Sequence, residues 1–218
     1  MKRTGRYRVL GLVEAQFEPG SHGRVLKNLI GIKSKRQMDQ IEGQEQFRAF
    51  NELVKMFGQA HRFNADDICK IHKVWLGRIY PWAGRYRQVN LSKGCFPFAV
   101  AKQIPSLMAD FERNQLHRYT PCRPNSIDEI AQGIANVHTE LVLAHPFRDG
   151  NGRVARMLAS LMALQAGLPP LYFTGIEGRK RREYFAAVNA GLDRNYKPMG
   201  DIFRYVIQKS IKTSAKRS

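Results

Sequence analysis

Apolar residues recur at steps of three and four over most of this chain, a pattern that predicts helices joined by short loops. The clearest segment covers residues 126–144. There Ser126 and Glu129 have capping-box spacing, and Ile127, Ile130, Ile134, Val137 and Leu141 fall on one face. Pro146 disfavours helical backbone at His145, so the helix is expected to stop there. A helix capped by Asn64 carries Ile68, Ile71, Trp75 and Leu76, and another carries Ile104, Leu107, Met108 and Phe111. Phe50, Leu53, Val54 and Phe57 mark an earlier helix, and Ile202, Val206 and Ile207 a late one. All of these stripes are expected to face the core.

Between residues 84 and 100 the period changes. Tyr86, Val89 and Leu91 precede Ser92-Lys93-Gly94, and Phe96, Phe98 and Val100 follow, which predicts a short β-hairpin turning at Gly94. Such a hairpin in an otherwise helical chain has little sheet to join. It is therefore expected to lie over a site as a flap. No repeat, linker or low-complexity segment divides the sequence.

Length and composition allow one globular domain, with 218 residues of which 43% are apolar. No run approaches the roughly 18 apolar residues of a membrane span, and the basic start is followed by no long apolar stretch. A cytoplasmic protein with no membrane partner is the expectation. Cys69, Cys95 and Cys122 are odd in number and fall in no C-x-x-C spacing, so they read as reduced structural thiols. Charge changes the picture more. With 36 Lys and Arg against 18 acids the net charge is +18, which favours polyanions or acidic protein surfaces as partners. Part of the excess sits at the ends, in residues 2–8 and in Lys209, Lys212, Lys216 and Arg217, read as solvated tails.

The chemistry is concentrated in His145-Pro146-Phe147-Arg148-Asp149-Gly150-Asn151-Gly152-Arg153-Val154-Ala155-Arg156. This stretch lies between the helix ending at Ala144 and a new one over about residues 153–166, terminated by Gly167-Leu168-Pro169-Pro170. Glycines on both sides of Asn151 let main-chain N–H groups converge, and the helix start adds free donors and the positive end of a dipole. Arg153 and Arg156 are one turn apart, so both are expected to reach phosphate oxygens. Asp149 is a natural ligand for a phosphate-bridging Mg²⁺, and His145 for a proton from an attacking hydroxyl. The stretch also fits G-x-G-x-x-A, but that dinucleotide loop follows a buried strand, and here a helix precedes it. No G-x-x-x-x-G-K-[ST] loop or kinase catalytic loop occurs, and His138 with His145 lacks a third zinc ligand.

The stretch resembles the signature of the Fic family, H-P-F-x-[D/E]-G-N-G-R-x-x-R, with every specified position filled. Val25-Leu26-Lys27-Asn28 with Leu29-Ile30-Gly31-Ile32 resembles the start of such domains, and Tyr80-Pro81-Trp82-Ala83-Gly84-Arg85 resembles the lead into their flap. The resemblance implies a mainly α fold, a compact Fic-type helical bundle with a small β-hairpin flap. It divides the chain into a basic segment over 1–19, a Fic domain over 20–208 and a basic tail over 209–218.

It also implies a protein AMP transferase, acting with ATP and Mg²⁺ on a Tyr, Thr or Ser hydroxyl. His145 would be the base, Asp149 the metal ligand, Gly150, Asn151 and Gly152 the α/β-phosphate cradle, and Arg153 and Arg156 the holders of the β/γ end. The flap, about residues 91–98, would align the target protein as an added strand, with Lys93 and Gly94 near the nucleotide. Arg182, Tyr184 and Asn189 are candidates for ribose and adenine contacts. Transfer of another phosphate-linked group, or removal of AMP, is the alternative within the family; Gly152 favours AMP, since a phosphorylating relative has Lys there. A nucleic-acid-binding protein is the alternative from another class, though it leaves His145 and Asp149 without a role.

Relatives are commonly restrained by a glutamate in the pattern [ST]-x-x-x-E-[GN] that pairs with the second arginine. Glu42-Gly43 has Met38 where Ser or Thr should stand, and Glu177-Gly178 has Thr174 one residue too close. The resemblance therefore points to a toxin-like enzyme restrained in trans by a small antitoxin-like protein, or not at all. Bacterial relatives that modify topoisomerases make a DNA-associated target the expectation for so basic a chain.

Overall fold

The computed structural model describes residues 11–94, 96–123, 126–174 and 179–216. The basic stretch over 2–8, Cys95, Glu177 with Gly178, and Arg217 lie outside these. The chain is mainly helical. After a short turn at Val13–Ala15, α1 spans Lys35–Met56 and α2 Ala65–Leu76; strands β1 (Ser92–Lys93) and β2 (Phe96–Pro97) follow. Then come α3 (Ile104–Phe111), a π turn at Glu112–Leu116, α4 (His117–Tyr119), α5 (Ile127–Ala144), α6 (Asn151–Gln165), α7 (Arg179–Ala190) and α8 (Lys197–Ala215).

Helix α5 is the central element, packed most extensively on α8 and α6 and touched also by α3, α4 and α7. Its inward face carries Ile130, Ile134, Val137 and Leu141, all at most 5% exposed. Ser126 caps it, accepting from the Glu129 N–H. Helix α2 joins α1 to the core through α6, and its start is a full capping box: Asn64 Oδ1 accepts from Asp67 N–H and the Asp67 carboxylate accepts from Asn64 N–H. The periodicity fails at two residues. Val54 and Ile127 are 39% and 36% exposed. The inward stripe of α1 is Met38, Glu42, Ala49 and Leu53, which turns Val54 some 100° away, and Ile127 occupies the first position of α5, ahead of the core contacts.

The β-hairpin is much shorter than the expected span of 84–100. Its register pairs Ser92 with Pro97 and Lys93 with Phe96, and Phe98 N–H donating to Leu91 O closes its base. The preceding residues are bonded elsewhere: Arg87 N–H donates to Pro146 O and Gln88 N–H to the buried Glu14 carboxylate. Glu14 O in turn accepts from Arg148 Nε, and the Phe17–Leu26 bridge holds the neighbouring backbone, so residues 13–18 dock on the domain. At the other end α8 runs on to Ala215. No helix among the described residues is long and apolar enough to cross a membrane.

Candidate active site

The loop from α5 to α6 turns on a left-handed His145 (φ 49°, ψ 56°) and a left-handed Gly150 (φ 84°). A side chain at Gly150 would fail twice, since its Cβ would also lie 2.7 Å from Trp75 Cζ3. Asn151 is 3% exposed and spends its side chain on the loop, accepting from Phe147 N–H and donating to Phe147 O, both at 2.8 Å. Phe147 stacks on His72 at 3.9 Å. His72 Nδ1 accepts from Gly84 N–H, so Nε2 carries the proton and donates to Asp149 O at 3.1 Å. Burial pushes His72 down to about 4, which keeps it neutral. Held this way, α6 starts with the N–H groups of Asn151 and Gly152 unpaired among the described residues. Free donors at the positive end of a helix dipole are the chemistry that suits an anion.

His145 stacks on Phe98 of the flap at 3.6 Å, and its Nδ1 lies 3.1 Å from Val142 O. A carbonyl only accepts, so Nδ1 bears the proton and Nε2 is left with its lone pair. Burial pushes the ring down to about 4; the Val142 bond opposes this and the Arg87 and Lys93 charges add to it. The His145 carbonyl accepts from Arg87 Nε at 2.7 Å, and the same guanidinium donates to Val89 O and Ala99 O. Arg87, at 1% exposure, thus ties the base of the flap to the loop with three hydrogen bonds.

The structure separates the two arginines that the spacing puts together. Arg153 lies over Trp75, with Nη1 2.5 Å from Glu42 Oε2 and Nη2 3.6 Å from Asp149 Oδ1. The other Glu42 oxygen accepts from Tyr80 OH at 2.8 Å, and Glu42 is 2% exposed. Met38, at the position of the missing Ser or Thr, is a core residue at 1%. Arg156 has no carboxylate partner among the described residues; its Nε donates to Gly152 O and its guanidinium lies near Phe173.

A cleft of about 860 Å³ opens beside the loop. Lys93, His145, Gly152, Arg156, Tyr184 and Asn189 line it, together with Phe96, Phe98, Phe173, Arg181, Phe185 and Val188. Gly94 sits at the hairpin turn with φ 59°, while Asp149, Gly150, Asn151 and Arg153 lie off this wall. Arg182 is exposed and also off the wall. Helix α7 faces the cleft with positions 181, 184, 185, 188 and 189, and one helical step turns Arg182 away. Sequence reasoning missed Arg181 although this spacing was legible; it also missed Arg87 and His72, for which no local pattern exists. Tyr184 OH bonds His138 Nε2 at 2.8 Å, and burial pushes the phenol up to about 12.

No group of three or more His, Cys, Asp or Glu able to hold a metal occurs among the described residues. Asp149 offers a half-exposed carboxylate with one oxygen on Gly150 N–H. One carboxylate completed by water and ligand phosphates suits Mg²⁺, which is held that way beside phosphate chains. The donor set therefore fits a metal delivered with a nucleotide.

The Glu42 contacts generate a stability expectation. Glu42→Gly should destabilise the fold by about 3 kcal/mol, the low end for a broken buried pair because Arg153 is partly exposed. Chemical denaturation should show the midpoint falling with an unchanged slope; an unaltered midpoint would mean that the pair contributes nothing.

The sequence profile of the Fic/DOC family matches residues 62–163. The protein adenylyltransferase VbhT of Bartonella schoenbuchensis is 34% identical over 143 residues, covering 66% of this chain and 30% of its own length. The protein adenylyltransferase fic-1 of Caenorhabditis briggsae is 30% identical over 202 residues, covering 92% of this chain and 36% of its own. The chain thus spans about a third of the length of these curated relatives. The structure of BepC, a VirB-translocated effector of Bartonella tribocorum with bound AMPPNP, superposes with a TM-score of 0.66 at 25% identity, covering 83% of this chain and 91% of that one. An N-terminal Fic domain from Bartonella quintana with bound ADP gives 0.66 at 28% identity, covering 83% and 89%. The profile match over the His145 loop and the helical frame shared with these structures agree, and the chain belongs to the Fic/DOC family.

Proposed function

We propose that this protein transfers AMP from Mg·ATP to a hydroxyl of a target protein. The observation that carries this reading is the tautomer of His145: a neutral ring with a free Nε2 lone pair, on the wall of the same cleft as Gly152 and Arg156. In the step it supports, the target hydroxyl attacks the α-phosphorus while its proton passes to Nε2; the new O–P bond forms, the bond to the β-phosphate oxygen breaks and pyrophosphate leaves. Of the two unpaired N–H groups at the start of α6, that of Gly152 belongs to the cleft wall, where it can answer the charge that grows on phosphate oxygens. Arg156 is free for the far end of the chain, whereas Arg153 braces Glu42. Asp149 would hold Mg²⁺, which supplies charge neutralisation on the phosphates. The relatives named protein adenylyltransferase, and the AMPPNP in BepC, support a nucleotide as ligand.

Lys93 and Phe96, and Leu91 and Phe98, are the bonded pairs of the hairpin, so the main-chain groups of Ser92 and Pro97 face outward. Pro97 has no N–H to offer on the β2 side. Ser92 offers both groups, which favours docking of an extended target segment along β1. Restraint remains proposed in trans: Glu42 is engaged with Arg153, and among the described residues no carboxylate reaches Arg156. The basic surface suits an acidic or DNA-associated target.

Three outcomes test this reading. His145→Ala should lower transfer by about 10² to 10⁴ while Mg·ATP binding persists, read by intact mass of candidate targets and by calorimetry; near-normal transfer would rule out the base. The base acts unprotonated, so kcat/KM should stay flat from neutral pH down to about 5 and fall as pH drops through about 4; a fall centred near the ordinary value of about 6.5 would contradict the buried, neutral ring. Ser92→Pro should raise KM for the target with little change in ATP affinity, and an unchanged KM would move the docking edge elsewhere.

A further inference from the structure

Among the described residues the cleft wall carries three cations, Lys93, Arg156 and Arg181, and no carboxylate. Lys93 Nζ lies 4.2 Å from the centre of the Phe185 ring, and the Arg181 guanidinium carbon 5.7 Å from the same ring. One charge is on the flap and the other on α7, so like charges meet across the mouth of the cleft on a shared aromatic surface. Burial first, and then Arg181, lower the Lys93 pKa, in keeping with that closeness. Two cations held this close repel each other, by an amount that water weakens because both side chains are exposed. The tip of the flap is two strands of two residues each, held at its base by Arg87, with Phe98 on His145 and Lys93 on Phe185 among its contacts with the cleft.

We infer that Lys93 and Arg181 form a two-sided subsite for a phosphate group of the bound nucleotide, which then holds the flap closed over His145. This rests on reading the cleft as a nucleotide site. An anion between the two cations turns a repulsion into two charge-assisted hydrogen bonds, one from each side. Phosphate is favoured over a target carboxylate because Arg156 and the Gly152 N–H share the cleft, and a polyphosphate chain answers several cations with one ligand. The order of binding follows: nucleotide first, then target, since the β1 edge is set in place only when the flap is down.

The test uses the full chain, Arg181→Ala and Arg181→Glu, with affinities for Mg·ATP and adenosine and with hydrogen exchange of residues 91–98. In the parent protein, Mg·ATP should slow exchange in the flap and adenosine should not. Arg181→Ala should weaken Mg·ATP by roughly tenfold, leave adenosine affinity unchanged and abolish the nucleotide-dependent protection. Arg181→Glu gives Lys93 a carboxylate partner, so the flap should be protected without nucleotide. A parent protein that binds no Mg·ATP would remove the nucleotide reading and the subsite with it. Binding with full flap protection in Arg181→Ala would overturn the subsite alone, as would unchanged ATP affinity with a raised KM for the target, which would assign the anion to the target.

Discussion

Helix α6 begins inside the protein with the N–H groups of Asn151 and Gly152 unpaired among the described residues, and the surrounding structure holds them fixed. A buried helix start left open is unfavourable unless something else satisfies it. Its rigidity comes from side chains that bond to the loop without using those two donors. Asn151 clasps Phe147, Phe147 stacks on His72, and His72 bridges Gly84 to the Asp149 carbonyl. None of these contacts uses the N–H groups of Asn151 and Gly152.

The same division of labour governs charge. Arg153 is turned to the interior, where Glu42 and Trp75 occupy it, and Arg156 is turned to the cleft, where among the described residues no carboxylate answers it. One braces α6 against α1 and the other stays available in the cleft. Arg87 acts similarly for the flap. Three carbonyls accept from its guanidinium, with the Glu14 carboxylate near enough to favour its charge, so its bonds join the hairpin base to the loop that carries His145. The position of the base and the position of the flap are thereby coupled through one side chain. The neutrality of His145 comes from the same closeness, because the flap that covers it also excludes water.

Sequence alone determined much of this. The helical frame followed from apolar spacing, and its ends from Ser126, Asn64 and Gly167, because caps and periodicity act within a few residues. The loop was legible as a glycine turn into a helix start with His145 and Asp149 beside it, since these residues are contiguous. What lay beyond reach were contacts between segments far apart in the chain. Spacing put Arg153 and Arg156 on one face, yet Glu42, on α1 over a hundred positions earlier, claims the first of them. The alternation over 84–100 reads as a longer hairpin, but Pro146 and Glu14 take main-chain donors that would have extended it. Arg182 and Arg181 are equivalent in composition, and only the way α7 packs against the cleft separates them. Periodicity sets which residues share a face; which face meets which partner is decided by packing, where buried charges must find one another to offset the loss of water.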